Sequence, residues 1–138
     1  MDDSKKQLQG SESRDIFKRY HKHINKLCYC IDADLVLVEK DPEGIVAYID
    51  FKKPKDSVTF AEALAYNEWA KTKPVYIVEA DSPERGPFSI RQYLRANWRP
   101  NPPVVEWGDT VLVANWSEYE QWELEIRNNY YKEIKYLY

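Results

Sequence analysis

The sequence predicts an α/β fold in which helices flank a mixed β-sheet. Two neighbouring segments, 35–38 and 45–49, are apolar at both odd and even positions, which is typical of strands that are covered on both faces. A helical pattern over about 59–71 separates the second of these strands from a further apolar strand, 74–78. Strand–helix–strand order of this kind predicts a right-handed parallel crossover.

The predicted elements before the sheet begin with a helix. Ser13 can cap a helix that runs to about Lys26, and its apolar residues recur at helical spacing. The segment 27–31 follows as the first predicted strand. Residues 1–10 are polar, so we expect a disordered lead-in to a single domain over 11–138.

A zinc site is an alternative interpretation of the polar residues in this region. His21, His23, Cys28 and Cys30 form a His-x-His and Cys-x-Cys pattern, and zinc binds both residue types. The histidines lie two apart in a predicted helix, however, and residues so spaced point to different faces. Two surface imidazoles and two half-buried thiols explain the pattern without a metal.

The elements after the fourth strand show weaker periodicity. Phe88 to Leu94 is compatible with a strand, the Pro-rich segment 99–103 with a loop, and 111–114 with a short strand. Ser117 begins a predicted helix that runs to about Tyr131. Thr59 and the glutamate three residues later form a capping box at the start of the preceding helix.

The connection between the second and third strands decides which side chains share a face. The segment 41–44, Asp-Pro-Glu-Gly, fits a type I turn closed by a left-handed Gly44, which gives a three-residue hairpin loop with a bulge. That loop length would place Asp34 opposite Lys52. It also puts Asp50 on the same face, at the open end of the hairpin. A loop of two or four residues would break this alignment.

Two carboxylates and an ammonium group at the end of an apolar hairpin need partners. If they are buried, they require each other, a metal ion or water. Mg²⁺ binds one or two carboxylates together with water and phosphate oxygens, and it can activate a phosphodiester for hydrolysis. An adjacent lysine can orient water and offset developing negative charge. The alternative is a plain ion cluster at a strand end.

The same residues resemble the signature of a known nuclease superfamily. Ala33-Asp34, a strand, a turn, a second strand and Asp50-Phe51-Lys52 are similar to the PD-(D/E)XK nucleases, which have a restriction-endonuclease-like fold. The resemblance covers about residues 12–80. It implies a helix–strand–strand–strand–helix–strand core (αβββαβ), to which this chain adds a C-terminal strand and helix.

The resemblance also implies an activity and a cofactor. In the superfamily, the acid that opens the second core strand matches Asp34, and the motif along the third strand matches Asp50 and Lys52. The two acids bind Mg²⁺ (or Mn²⁺), and the lysine assists the attacking water. We therefore expect a metal-dependent deoxyribonuclease, with a non-catalytic nucleic-acid-binding or protein-interaction module on the same fold as the alternative.

Further acids are candidates for auxiliary roles. RecB-like members carry Gln-x-x-x-Tyr on the following helix, and Glu62 and Tyr66 have that spacing with Glu in place of Gln. Glu62 has the alternative role of capping the helix. Asp32 could share or replace the role of Asp34 as a metal ligand, and Glu12 or Asp15 could supply an acid from the first helix.

Charge and composition bear on the partners. The net charge is −3, so binding to DNA would need a local basic patch rather than a basic surface. Candidates for that patch are Lys18, Lys22, Lys53 and Lys55, with one or more of Arg91, Arg95 and Arg99. A homodimer through the tryptophan-rich C-terminal half is possible. The polar N-terminus and the lack of a long apolar run predict a cytoplasmic protein without membrane spans.

Overall fold

A computed structural model of the chain describes residues 12–17, 19–20, 34–40 and 42–137, with side chains as far as 134. The chain divides into two compact units, residues 1–30 and residues 31–138. In the first unit, the described residues 12–17 and 19–20 are helical and exposed. The predicted lead-in, the predicted first strand and the alternative zinc residues lie outside the described residues.

The second unit is an α/β fold. Within residues 34–137, the order is β1 (Leu35–Lys40), β2 (Glu43–Lys52), α1 (Phe60–Ala70), β3 (Val75–Glu79), β4 (Phe88–Asn97), β5 (Val104–Val113) and α2 (Trp116–Leu137). The five strands form one sheet in the order β1-β2-β3-β4-β5. Strands β2 and β3 are parallel, as the crossover predicted, and the other neighbours are antiparallel.

Helix α1 covers one face of the sheet, and its start follows from local chemistry. The Thr59 side chain accepts a hydrogen bond from the Glu62 amide, and the Glu62 side chain accepts one from the Thr59 amide. This reciprocal pair satisfies two amides that the first helical turn leaves free. The predicted capping box is therefore confirmed. Ala63 and Tyr66 of the helix pack on Val75, Ile77 and Tyr93 of the sheet.

Helix α2 covers the opposite face and is longer than the sequence predicted. It begins at Trp116 because the Asn115 side chain accepts a hydrogen bond from the Glu118 amide at 3.0 Å, as a helix cap does. Its buried aromatic and apolar residues are Tyr119, Trp122, Ile126 and Tyr130. They pack with the sheet residues Val46, Ala47, Ile49, Val78, Phe88, Ile90 and Val113.

The strand β1 is joined to α2 by a polar contact. Glu39 is 8% exposed, and its carboxylate accepts hydrogen bonds from Arg127 and from the hydroxyl of Tyr131. These two hydrogen bonds hold the pKa of Glu39 below its usual value, against the opposing effect of burial. The contact therefore links the edge of the sheet to a helix almost ninety residues further along the chain.

The predicted hairpin loop is wrong in its length. Lys40 pairs with Glu43, so two residues rather than three connect β1 and β2. Gly44 lies inside β2 opposite Glu39, and its φ is not in the left-handed region. A side chain at this position would collide with the Tyr130 hydroxyl, which donates a hydrogen bond to the carbonyl of Pro42 at 3.2 Å.

A β-bulge restores the alignment that the shorter loop would have lost. Val38 pairs with Ile45, whereas Leu37 pairs with Ala47, so Val46 is an extra residue in β2. A residue inserted in one strand reverses the faces of all residues beyond it. Leu35 consequently pairs with Ile49, rather than with the residue that the longer loop predicted. Asp34 therefore arrives next to Asp50 instead of opposite Lys52.

The C-terminal strands are longer than predicted. β4 runs to Asn97 and β5 begins at Val104, and they form an antiparallel pair around the Pro-rich segment. Of the tryptophans in this half, Trp122 is 8% exposed, whereas Trp98 and Trp116 are about half exposed.

In the described part of the chain, no helix is long and apolar enough to cross a membrane.

Candidate active site

Two aspartates meet at the end of β2. Asp50 lies near the end of the strand and is 6% exposed, whereas Asp34 precedes β1 and is exposed. An Asp34 oxygen accepts a hydrogen bond from the Phe51 amide at 2.7 Å, which holds Asp34 against β2. The Asp34 carboxyl also lies close enough to Asp50 to raise the pKa of the Asp50 carboxyl. The structure thus brings together the two acids that the sequence singled out.

The environment of Asp50 disfavours its charged form. Burial raises the pKa of the Asp50 carboxyl, and the neighbouring Asp34 raises it further, to about 7 from an ordinary value near 3.8. A hydrogen bond from Tyr66 acts in the opposite direction. Two carboxyl groups this close cannot both ionise freely without a cation between them. Burial and the neighbouring acid therefore favour the protonated form of Asp50 up to about neutral pH.

Tyr66 connects Asp50 to a third acid. Its side chain is fully buried, and its hydroxyl contacts an Asp50 oxygen and lies 3.1 Å from an oxygen of Glu62. A phenol has one proton to donate, so it satisfies one of these carboxylates at a time. Burial and the two carboxylates raise the pKa of the Tyr66 phenol. Tyr66 consequently stays neutral and fixes the position of the Asp50 oxygen.

Lys52 reaches the same cluster through Glu62. Its ammonium donates a hydrogen bond to Glu62 at 2.6 Å, and the side chains are 11% and 18% exposed. Burial opposes ionisation of Glu62, but hydrogen bonds from Lys52 and Thr59 outweigh it and hold the pKa below its usual value. Glu62 is therefore both a cap of α1 and the partner of Lys52. Of the roles that the sequence left open for Glu62, capping is confirmed, and the auxiliary role implied by the RecB-like spacing stays a prediction.

A second ion pair lies beside this cluster. Lys52 is the neighbour of Glu79 across the parallel β2–β3 ladder, and the Glu79 carboxylate pairs with Arg91 of β4. The Arg91 guanidinium also stacks over the Trp107 ring, 4.0 Å from its centroid. Alternation along the strands puts Lys52, Glu79 and Arg91 on the face that α1 covers.

The other candidate residues lie in different places. Glu12 and Asp15 are exposed residues of the first unit. Asp32, Lys18 and Lys22 lie outside the described residues. Lys53 and Lys55 are exposed on the connection after β2, and Lys55 has a φ of 73°, which is uncommon for a residue other than glycine.

The arginines contribute less free positive charge than predicted. Arg91 pairs with Glu79, and Arg95 pairs with Glu106. Arg99 lies over the ring of Trp98, 5.7 Å from its centroid. Close to Asp50, the described cations are thus already matched by acids, and the positive charge that remains available nearby is that of Lys53 and Lys55.

The oxygen-rich cluster fits a hard divalent cation. Among the residues that the structure describes, no group of three or more His, Cys, Asp or Glu side chains is arranged to hold a metal ion. Mg²⁺ needs one or two carboxylates and takes its other oxygens from water and phosphate, and Asp34 with Asp50 meets that smaller requirement.

Comparison with known proteins adds no relative. No family model, no curated protein and no solved structure matches the chain.

Two features of the region were not singled out from the sequence. Glu79 ends the apolar strand β3, and its position beside Lys52 depends on the register between two parallel strands. Trp116 and Tyr119 lie three residues apart at the start of α2, and their rings make an edge contact with centroids 5.1 Å apart. Spacing of three residues on a helix was the one signal in the sequence that could have indicated this aromatic pair.

Proposed function

We propose that this chain is a metal-dependent nuclease that hydrolyses DNA phosphodiester bonds, on a restriction-endonuclease-like version of the α/β fold. The observation that carries the proposal is the buried Asp50, with Asp34 held beside it by the Phe51 amide and Lys52 two residues further along the same face of β2. A carboxyl whose pKa is raised to about 7 by burial and a like neighbour is typical of a functional site.

Charge balance supports a cation at this position. The described acids around the cluster are Asp34, Asp50, Glu62 and Glu79, against the cations Lys52 and Arg91. When Asp50 is ionised, these four acids exceed the two cations paired with them by the charge of one divalent ion. Lys53 and Lys55 are exposed on the connection after β2, so solvent screens their effect on that excess. Neutralising that excess would favour the approach of a phosphodiester. Asp34 and Asp50 would hold Mg²⁺ or Mn²⁺.

The side chains have distinct roles in the proposed reaction. A divalent cation would act as a Lewis acid toward a phosphoryl oxygen of the substrate. Asp34 is positioned by the Phe51 amide and Asp50 by the Tyr66 hydroxyl, so neither carboxylate has to reorganise on binding. Lys52, held at 2.6 Å by Glu62, would orient the attacking water and offset negative charge that develops on the phosphate.

A nuclease assay on purified protein tests the proposal. Single-stranded, duplex and branched DNA would be incubated with the protein alone, with Mg²⁺ and with Mn²⁺, and the Asp50→Ala variant purified in parallel controls for contaminating nucleases. Cleavage that needs a divalent ion and is absent from the variant is the expected result. If the wild type cuts neither DNA nor RNA with either ion, the enzyme proposal fails and a binding module replaces it.

A further inference from the structure

An apolar cavity opens next to the candidate active site, on the other face of the sheet. It has a volume of about 240 Å³, and its walls include Asp34 and Phe51 from the site region and Phe88, Trp116 and Tyr119 from β4 and α2. Asp34 therefore borders both the acid cluster and the cavity. The Phe51 amide holds Asp34 in place, while the Phe51 side chain forms part of the cavity wall.

The aromatic wall of this cavity is held rigidly by its surroundings. The Trp116 indole N–H donates a hydrogen bond to the Pro83 carbonyl at 3.0 Å. The Trp116 ring packs edge-on against Phe88, with centroids 4.7 Å apart, and against Tyr119, at 5.1 Å. Trp116 nevertheless remains 51% exposed. Its polar atom is thus satisfied internally, and an open ring surface remains for a planar apolar partner.

We propose that this cavity is a subsite for one unpaired nucleobase of the DNA strand whose phosphate lies at Asp34 and Asp50. The proposal rests on the nuclease function and names the substrate structure for it. Aromatic side chains stack any base, because every base has a π-face. A cavity smaller than the roughly 300–1,000 Å³ of drug-sized pockets suits a single ring system. A base can enter only if it is unstacked from its neighbours, so the favoured substrate is single-stranded or contains an unpaired nucleotide.

Binding to a short single-stranded oligonucleotide tests the subsite without depending on cleavage. Affinity would be measured by fluorescence anisotropy in the absence of divalent ions. The matched ligand is an abasic oligonucleotide of the same length, which keeps every phosphate and lacks every base. We expect the wild type to bind the abasic strand about 5- to 150-fold more weakly, the range that corresponds to ~1–3 kcal/mol for one stacked base.

Variants of Trp116 assign the difference to the cavity. Trp116→Leu keeps apolar bulk against Phe88 and should reduce affinity for the normal strand to that of the abasic strand, whose affinity should not change. Trp116→Phe keeps a ring and should retain part of the preference. Leu112→Ala is the control, because Leu112 is 76% exposed and does not line the cavity. Thermal unfolding of each variant verifies that it is folded.

The possible outcomes separate this inference from the nuclease proposal. Equal affinity of the wild type for the two strands overturns the subsite, and so does an unchanged preference in folded Trp116→Leu. Either result is expected if a protein segment, rather than a base, fills the cavity. DNA cleavage that persists with such a result leaves the nuclease proposal standing. If the preference for the strand with bases depends on Trp116 but no metal supports cleavage, the subsite is supported and the nuclease proposal fails.

Discussion

The hydroxyl of Tyr66 donates a hydrogen bond to the buried carboxylate of Asp50 and lies 3.1 Å from Glu62. One side chain of α1 therefore joins an acid whose pKa is raised to about 7 to an acid whose pKa is lowered. Environments that push neighbouring carboxyls in opposite directions are typical of sites that need one proton-accepting and one permanently charged group.

The raised pKa of Asp50 predicts how stability depends on pH. The folded protein holds a proton on Asp50 up to about pH 7, whereas an unfolded aspartate loses it near pH 4. The free energy of unfolding should therefore fall as pH rises from about 4 to 7, by a few kcal/mol at most, since one pKa unit corresponds to ~1.4 kcal/mol. Urea unfolding at a series of pH values measures this change.

The matched control for that experiment is Asp50→Asn, which stays neutral at all pH values. Its free energy of unfolding should lack the decline between pH 4 and 7 while keeping the contribution of the other acids. Adding Mg²⁺ at pH 7 should stabilise the wild type and leave the variant unchanged, because an ion that binds only the folded state adds to its stability. Identical pH profiles for the two proteins would contradict the assigned pKa.

The double role of Glu62 predicts that two substitutions separate stability from activity. Thr59→Ala removes the helix cap and should lower the free energy of unfolding by about 1 kcal/mol with little loss of cleavage. Glu62→Gln can still cap, since capping boxes accept Gln, but it removes the charge that holds Lys52. The variant should lose some stability, because Lys52 loses its charged partner, but its cleavage rate should fall by more than the fraction of unfolded protein explains. Loss of activity in both variants in proportion to stability would argue for a capping role alone.

The close approach between Gly44 and Tyr130 predicts a pair of compensating substitutions. Gly44→Ala should destabilise the fold by about 1–3 kcal/mol, because its Cβ would overlap the Tyr130 hydroxyl. Tyr130→Phe removes the atom that collides, so the double variant should recover part of that loss. The coupling energy from a double-mutant cycle in urea measures the contact, and strictly additive effects would show that it is not made.

The left-handed conformation of Lys55 predicts that glycine is tolerated there better than lysine. Lys55→Gly should raise the free energy of unfolding, by up to about 1 kcal/mol, because glycine adopts a positive φ without strain. If Lys55 contacts a phosphate, the variant should also bind DNA more weakly, with a salt dependence reduced by about one ion. Lys71→Ala is the control, since Lys71 pairs with Glu68 at the far end of α1.

Within residues 35–79, the order of elements was predictable from the sequence because it depends on local patterns. Apolar runs, the Thr59 cap and the breaks between them identify the strands and α1, and the parallel crossover follows from their order. The placement of Asp34 and Asp50 on one face was predicted for a partly wrong reason. A three-residue loop was expected, whereas a two-residue loop combined with a bulge at Val46 restores the same alternation.

The features that the sequence did not predict depend on contacts between distant parts of the chain. The sequence placed Gly44 in a turn because glycine favours turns. Glycine is needed at this position because Tyr130 packs against it, and local turn chemistry cannot show that contact. No turn links β2 to β3, so nothing in the sequence sets the register that places Glu79 beside Lys52. The aromatic cavity likewise forms where β2, β4 and α2 meet, and it has no local signature.

The cleavage rate of single-stranded DNA as a function of Mn²⁺ concentration tests the central claim most directly. Measured at single turnover, Asp50→Ala should require far more Mn²⁺ than the wild type or show no cleavage, because it loses a ligand. Lys52→Ala keeps both carboxylates, so it should respond to the same Mn²⁺ range but reach a rate lower by roughly 10²- to 10³-fold, the size of effect seen when one group that stabilises transition-state charge is removed. A wild type without metal-dependent cleavage, or variants that follow the wild-type curve while folded, would contradict the account.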